Sequence, residues 1–149
     1  MEKTYTVKEI AKKLNLTDRT IRNYLASGQL KGSRVGGQWR FSETDINNLF
    51  QTSEFRKKLK DRANSNAKDF IDEKLDMQGD VTVCAIINYE NKDQSYMDKL
   101  ECEAYRVAYD YKGNVKFTAL SQEGVGRCTI IGTIECVSKV LEVFKKLED

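Results

Sequence analysis

Apolar residues near the start of the chain recur at helical spacing. Val7, Ile10, Ala11 and Leu14 fall at i, i+3, i+4 and i+7, which predicts one buried helix face. Thr6-Val7-Lys8-Glu9 forms a T-x-x-E capping box at its start, with Tyr5 and Ile10 at the hydrophobic-staple positions. Asn15-Leu16-Thr17 breaks the pattern. Thr17 is a suitable N-cap for a second helix, Asp18 suits the positive end of its dipole, and Leu16 with Ile21 repeats the staple. Ile21, Tyr24 and Leu25 form the apolar side of that helix, and Gly28 supplies a left-handed residue to end it. Residues 30–41 contain Gly36-Gly37 between two short runs, which predicts a tight hairpin. Ser42-Glu43-Thr44-Asp45 then opens a helix that buries Ile46, Leu49 and Phe50. The predicted order is helix, turn, helix, hairpin, helix.

From Gln51 to Gln78 the chain is charged and helix-permissive. Phe55, Leu59, Ala63 and Ala67 are spaced by four, and Phe70, Ile71 and Leu75 continue the stripe. This fits either a solvated connecting helix or a short dimerising coil, weakest at Asn64-Ser65-Asn66. After residue 79 the period changes. Residues 81–87 read as a strand buried on both faces, and 95–111 as a helix with a capping box at Ser95 and Asp98. In that helix Met97, Leu100, Ala104 and Ala108 form one stripe, and Cys102, Tyr105 and Tyr109 a second that is open to a partner. Val115-Phe117-Ala119 and residues 128–133 alternate as strands joined by a turn at Gly124-Val125-Gly126. Val137, Val140, Leu141, Phe144 and Leu147 stripe a last helix. The expected fold class is α+β, with three parts: a winged helix–turn–helix at 1–50, a helical linker at 51–78 and a small βαββα domain at 79–149.

Charge sharpens this division. Residues 1–50 carry nine basic and five acidic side chains, a net of +4; residues 79–149 carry nine and twelve, a net of −3. A basic front and an acidic back imply different partners for the two ends. The chain has no histidine, which removes His-dependent triads and His-containing zinc sites. Cys84, Cys102, Cys128 and Cys136 form no C-x-x-C pair and are expected to act as small, partly buried hydrophobes. Neither metal nor cofactor is expected. Lone carboxylates such as Glu101, Glu103 and Glu123 have no visible catalytic partner, so no enzyme activity is expected. No stretch approaches the ~20 apolar residues of a membrane span, and no signal pattern opens the chain, so a cytoplasmic location is expected.

A helix–turn–helix followed by a hairpin is a winged DNA-binding unit. Asp18, Arg19, Arg22, Asn23 and Ala26 lie away from the apolar side of the second helix. Arginine can grip guanine O6 and N7, and asparagine adenine N6 and N7. Thr17 and Thr20 place hydroxyls at the helix N-terminus, where backbone amides attract phosphate. Lys31, Ser33, Arg34, Gln38 and Arg40 sit on the hairpin, within reach of a minor groove or backbone, while Trp39 and Phe41 pack it onto the helices. Thr6 joins these residues as an expected DNA contact.

The pieces T-V-K-E-I-A-K-K-L-N-L, T-I-R-N-Y, G-x-L, R-V-G, W-R-F and a closing D-I occur in order, and the segment resembles the excisionase-type helix–turn–helix family, a relative of the MerR DNA-binding domain. The resemblance covers about a third of the chain. It implies a winged helix that reads double-stranded DNA in bacteria, phages or mobile elements. It places residues 17–26 in the major groove and Arg34 and Arg40 on the wing. The sequence departs from the family at Lys31-Gly32-Ser33 and at the wing tip, Gly37-Gln38. Three roles follow as expectations: a homodimeric transcriptional regulator, an excisionase-like recombination directionality factor, or a C-terminal module that senses a small-molecule or protein effector.

Overall fold

The structure, a computed structural model, describes residues 2–14, 16–111 and 114–149. The chain divides into two units, one ending at Arg56 and the other beginning at Lys57. Asn15, expected in the first interhelical break, lies outside the described residues.

In the first unit the local signals act as read. Thr6 caps α1 (Val7–Lys13): its hydroxyl accepts the Glu9 N–H at 3.2 Å, and the Glu9 carboxylate accepts the Thr6 N–H at 2.8 Å. Thr17 caps α2 (Asp18–Ser27), and Gly28 ends it at φ +80°. Ser42 and Asp45 form a second capping box on α3 (Glu43–Phe50). The hairpin is β2 (Ser33–Val35) with β3 (Gln38–Ser42), closed by Gly36 and Gly37 at φ +59° and +80°. Positive φ at both central residues is the two-residue turn whose twist suits a hairpin. A further strand, β1 (Thr4–Tyr5), pairs antiparallel with β3 and makes a three-stranded sheet of order β1-β3-β2. Its two residues are too few to show alternation. Ile10, Ile21, Tyr24, Leu30, Phe41, Ile46, Leu49 and Phe55 form the core, each contributing roughly 1.5–3 kcal/mol by burial.

Helix α4 (Ser53–Ile71) runs unbroken through Asn64-Ser65-Asn66. Its stripe stays buried at Phe55, Leu59 and Ala63, then fades, leaving Ile71 exposed and Leu75 beyond the helix.

The second unit has the order β4 (Thr82–Glu90), α5 (Gln94–Tyr109), β5 (Lys116–Gln122), β6 (Val125–Thr133), α6 (Ile134–Lys145). The three strands form an antiparallel sheet with β6 central. The expected βαββα order is present, with four local differences. Residues 81–87 are not buried on both faces: β4 is an edge strand, and Val81 and Ile86 are each 55% exposed. Helix α5 is capped by Asp93, whose carboxylate accepts the Tyr96 N–H, rather than by Ser95; Asp98 instead accepts the Gln94 side-chain amide at 2.9 Å. The β5–β6 turn is Glu123-Gly124, because Gln122 pairs with Val125. Gly126 lies within β6, where the Tyr89 ring leaves no room for a Cβ. Finally, α6 buries Val143 with Val137, Val140 and Phe144, while Leu141 is exposed and Leu147 lies past its end.

Candidate nucleic-acid interface

Helix α2 owes its orientation to its apolar side. Ile21 and Tyr24 are buried, so the opposite side carries Arg19, Arg22, Asn23 and Ala26 into solvent, with Asp18 and Thr20 half-buried beside them. The Tyr24 ring is held edge-on by Phe55 at 5.6 Å, and Phe55 in turn meets Phe50 edge-on at 5.2 Å. Gln29 donates to Glu54 at 2.7 Å, and the buried Arg56 donates to the Phe50 carbonyl at 3.4 Å. The first turn of α4 thus buttresses α2. Sequence reading assigned Phe55 to the linker stripe and missed this role. Its signal was present in the aromatic pair Phe50 and Phe55, five positions apart.

At the N-terminus of α2 the Thr17 hydroxyl accepts the Thr20 N–H at 3.1 Å and lies 2.9 Å from the Thr20 hydroxyl. The two threonines expected to meet phosphate are therefore joined to each other as well as to the helix cap. Thr6 is similarly engaged, half-buried at the start of α1.

The hairpin residues divide between two faces. Ser33 pairs with Arg40 and Val35 with Gln38, while Arg34 pairs with Trp39. Alternation puts Ser33, Gln38 and Arg40 on one face and Arg34 with Trp39 on the other, the side of the buried Phe41. The Arg34 guanidinium donates to the Gly37 carbonyl at 3.1 Å and lies 5.5 Å from the Trp39 ring centre, a cation–π contact that steadies the turn. The structure therefore brings Ser33, Gln38 and Arg40 together and sets Arg34 apart from them. Lys31 is exposed just before β2. Gly32 has no space for a side chain: a Cβ there would lie 2.7 Å from the Phe41 ring.

The second unit holds buried polar groups of a different kind. Tyr89 donates to the buried Glu101 at 2.5 Å, and burial, then Glu101, raises the Tyr89 hydroxyl well above its ordinary range. Burial also raises the Cys128 thiol and pushes Cys136 up to about 11, with Glu135 adding to the latter. Both are thiols rather than thiolates at neutral pH. Among the described residues no group of three or more Cys, Asp or Glu is placed to hold a metal ion. No described helix is long and apolar enough to cross a membrane.

Residues 4–53 match the family model of a helix-turn-helix domain. No curated protein and no solved structure matches the chain. The first third of the chain is thus a helix–turn–helix domain of an excisionase-like family, and it supports a DNA-binding protein; the part after it matches no family model.

Proposed function

We propose that this protein is a sequence-specific double-stranded DNA-binding regulator of transcription, acting in the bacterial cytoplasm as a pair of copies. The observation that carries this reading is the outward side of α2. Arg19, Arg22 and Asn23 stand exposed opposite the buried Ile21 and Tyr24, within a segment that matches a helix–turn–helix family.

In this reading α2 enters the major groove, where Arg22 and Arg19 reach guanine edges and Asn23 reaches adenine. The free amides at the start of α2 and the Thr17 and Thr20 hydroxyls meet a phosphate, with Asp18 beside them. Thr6 keeps its own O–H to donate to the backbone, since its oxygen already accepts from Glu9. The hairpin is the wing: Ser33, Gln38 and Arg40 follow the adjacent backbone, Lys31 adds a phosphate contact, and Arg34 stiffens the turn. Nine basic against five acidic residues in 1–50 is a modest excess for one copy. Two linked copies multiply affinity without new contacts per copy, which supports the paired form. The acidic second unit, 93 residues from Lys57 to Asp149, exceeds what DNA bending alone requires and favours a regulator over a recombination directionality factor.

Selection from randomised duplexes at low salt tests the reading: a recurring sequence is expected, and no enrichment overturns it. Against the selected site, Arg22→Ala weakens binding by about 1–3 kcal/mol, measured by gel shift, with thermal stability unchanged.

A further inference from the structure

The two edges of the second unit's sheet are treated differently. At the β5 edge, the buried Tyr105 hydroxyl accepts the Ala119 N–H at 3.1 Å and donates to the Ala119 carbonyl at 3.2 Å. Helix α5 therefore covers that edge at Ala119 with a side chain. Tyr105, read from sequence as part of a face open to a partner, is spent on this contact.

The same contact fixes the direction of every amide in the sheet. Ala119 points its N–H and C=O away from β6, so Thr118 and Leu120 point theirs toward it. Through the registers Thr118↔Thr129, Cys128↔Ile87 and Ile130↔Ala85, the odd residues of β4 bond to β6. The Asn91 N–H to Gly124 carbonyl bond, 2.9 Å, continues that pattern. Thr82, Cys84, Ile86, Asn88 and Glu90 therefore aim their backbone groups outward, where among the described residues no strand pairs with them. Natural edges are blunted by lysine, proline, bulges or short length. β4 is nine residues long, has no Lys or Pro, and pairs with β6 in unbroken register.

We propose that the β4 edge is a homodimer interface, in which β4 of a second copy pairs antiparallel about a two-fold axis at Ile86 and joins the two sheets into one of six strands. This deepens the paired reading above and rests on it. The strand is self-complementary in that register. Ile86 meets Ile86, Cys84 meets Asn88, and Thr82 meets Glu90, so no like charges oppose each other. Two positions beyond each strand end, the exposed Asp80 falls opposite the second copy's exposed Lys92, twice by symmetry. On the helix-covered face, Val83 of the second copy lies beside Tyr89, and its Val81 follows. Both extend the apolar wall of a groove of about 640 Å³ that Ile87 and Tyr89 share with Leu141, Phe144 and Leu147 of the α6 region. The exposed Val81, Ile86 and Leu141 are then all covered.

Sedimentation of the full chain at micromolar concentration tests the pairing, and two variants test the edge. The wild type is expected at twice 17.1 kDa. Ile86→Lys sets two ammonium groups against each other on the axis and raises the dimer dissociation constant at least about tenfold, leaving circular dichroism unchanged because the side chain already faces solvent. Ile86→Cys, in a background with Cys84→Ser and Cys102→Ser, oxidises to a covalent dimer, and this conservative change keeps the test valid if the lysine variant misfolds. A monomeric wild type overturns both the pairing and the edge. A dimer that survives Ile86→Lys and does not cross-link at position 86 overturns the edge alone. Neither outcome alters the DNA-selection result, which stands or falls separately.

Discussion

The two units bury similar side chains but are specified by different means. In the first, each element begins and ends on a signal a few residues long: Thr6 with Glu9, Thr17, Gly28, Gly36-Gly37, and Ser42 with Asp45. Its candidate DNA-binding face follows directly, because burying Ile21 and Tyr24 forces Arg19, Arg22 and Asn23 outward. In the second, the decisive features are not local. Which strand is central and which edge is closed depends on pairings such as Ala85↔Ile130 and on one hydroxyl, Tyr105, fourteen positions from Ala119. An exposed polar helix face can therefore be read along the chain, whereas an open backbone edge such as that of β4 appears only once the sheet is assembled.

The largest test of this contrast is Phe41→Ala. Phe41 is fully buried on β3 and its ring packs on Gly32, so its loss costs the first unit about 3–5 kcal/mol. Trp39 is the chain's single tryptophan and shares β3 with Phe41, two positions away, so its fluorescence in a urea titration reports the first unit. The expected outcome is an earlier tryptophan transition with the hydrogen-exchange protection of β6 retained. Equal loss in β6 would mean that the units are not separately specified. The next test concerns the second unit. Tyr105→Phe keeps the ring packed edge-on to Phe117 at 4.7 Å but strips both Ala119 bonds. The buried amide and carbonyl left behind cost about 1–3 kcal/mol, read as a lower urea midpoint and faster exchange at Ala119.

Sequence reading recovered both the helix–turn–helix order and the βαββα order. It failed where a residue's environment is set by a distant partner. Residues 81–87 look like a doubly buried strand because Val, Ile and Ala fill both faces, and no local signal marks β4 as an edge. Leu141 carries the same hydrophobic signal as Val143, and only the seat of α6 against the sheet selects between them. In the candidate DNA-binding face, all of the named hairpin residues were visible in the sequence. Their division between two faces followed only from the register, with Arg34 beside Trp39 and Arg40 beside Ser33.

A smaller effect is expected at Gly28, where the local rule for the first unit can be isolated. The residue sits at φ +80° with no atom within 4 Å of where a Cβ would stand, so Gly28→Ala introduces backbone strain and no clash. The cost is about 1 kcal/mol, and it falls on the end of α2. A thermal melt followed by Trp39 fluorescence should show a loss of that size, and Gly28→Asn should recover part of it, since asparagine tolerates the left-handed region better than alanine.

The smallest effect separates register from surface charge in the second unit. The Lys146 ammonium bridges both Glu103 oxygens at 2.8 and 3.0 Å, yet the two side chains are 51% and 38% exposed. Solvent screens such a pair, and holding two long side chains in one geometry offsets much of the attraction. A double-mutant cycle of Lys146→Ala and Glu103→Ala should give a coupling of about 0.2–1 kcal/mol at low salt, shrinking as salt is added. That is well below the cost of removing the Tyr105 hydroxyl, although both contacts involve α5. If the coupling instead equals the Tyr105 effect, α5 is held by charge as much as by closing the sheet edge, and the contrast between a locally specified unit and a backbone-specified one loses its clearest instance.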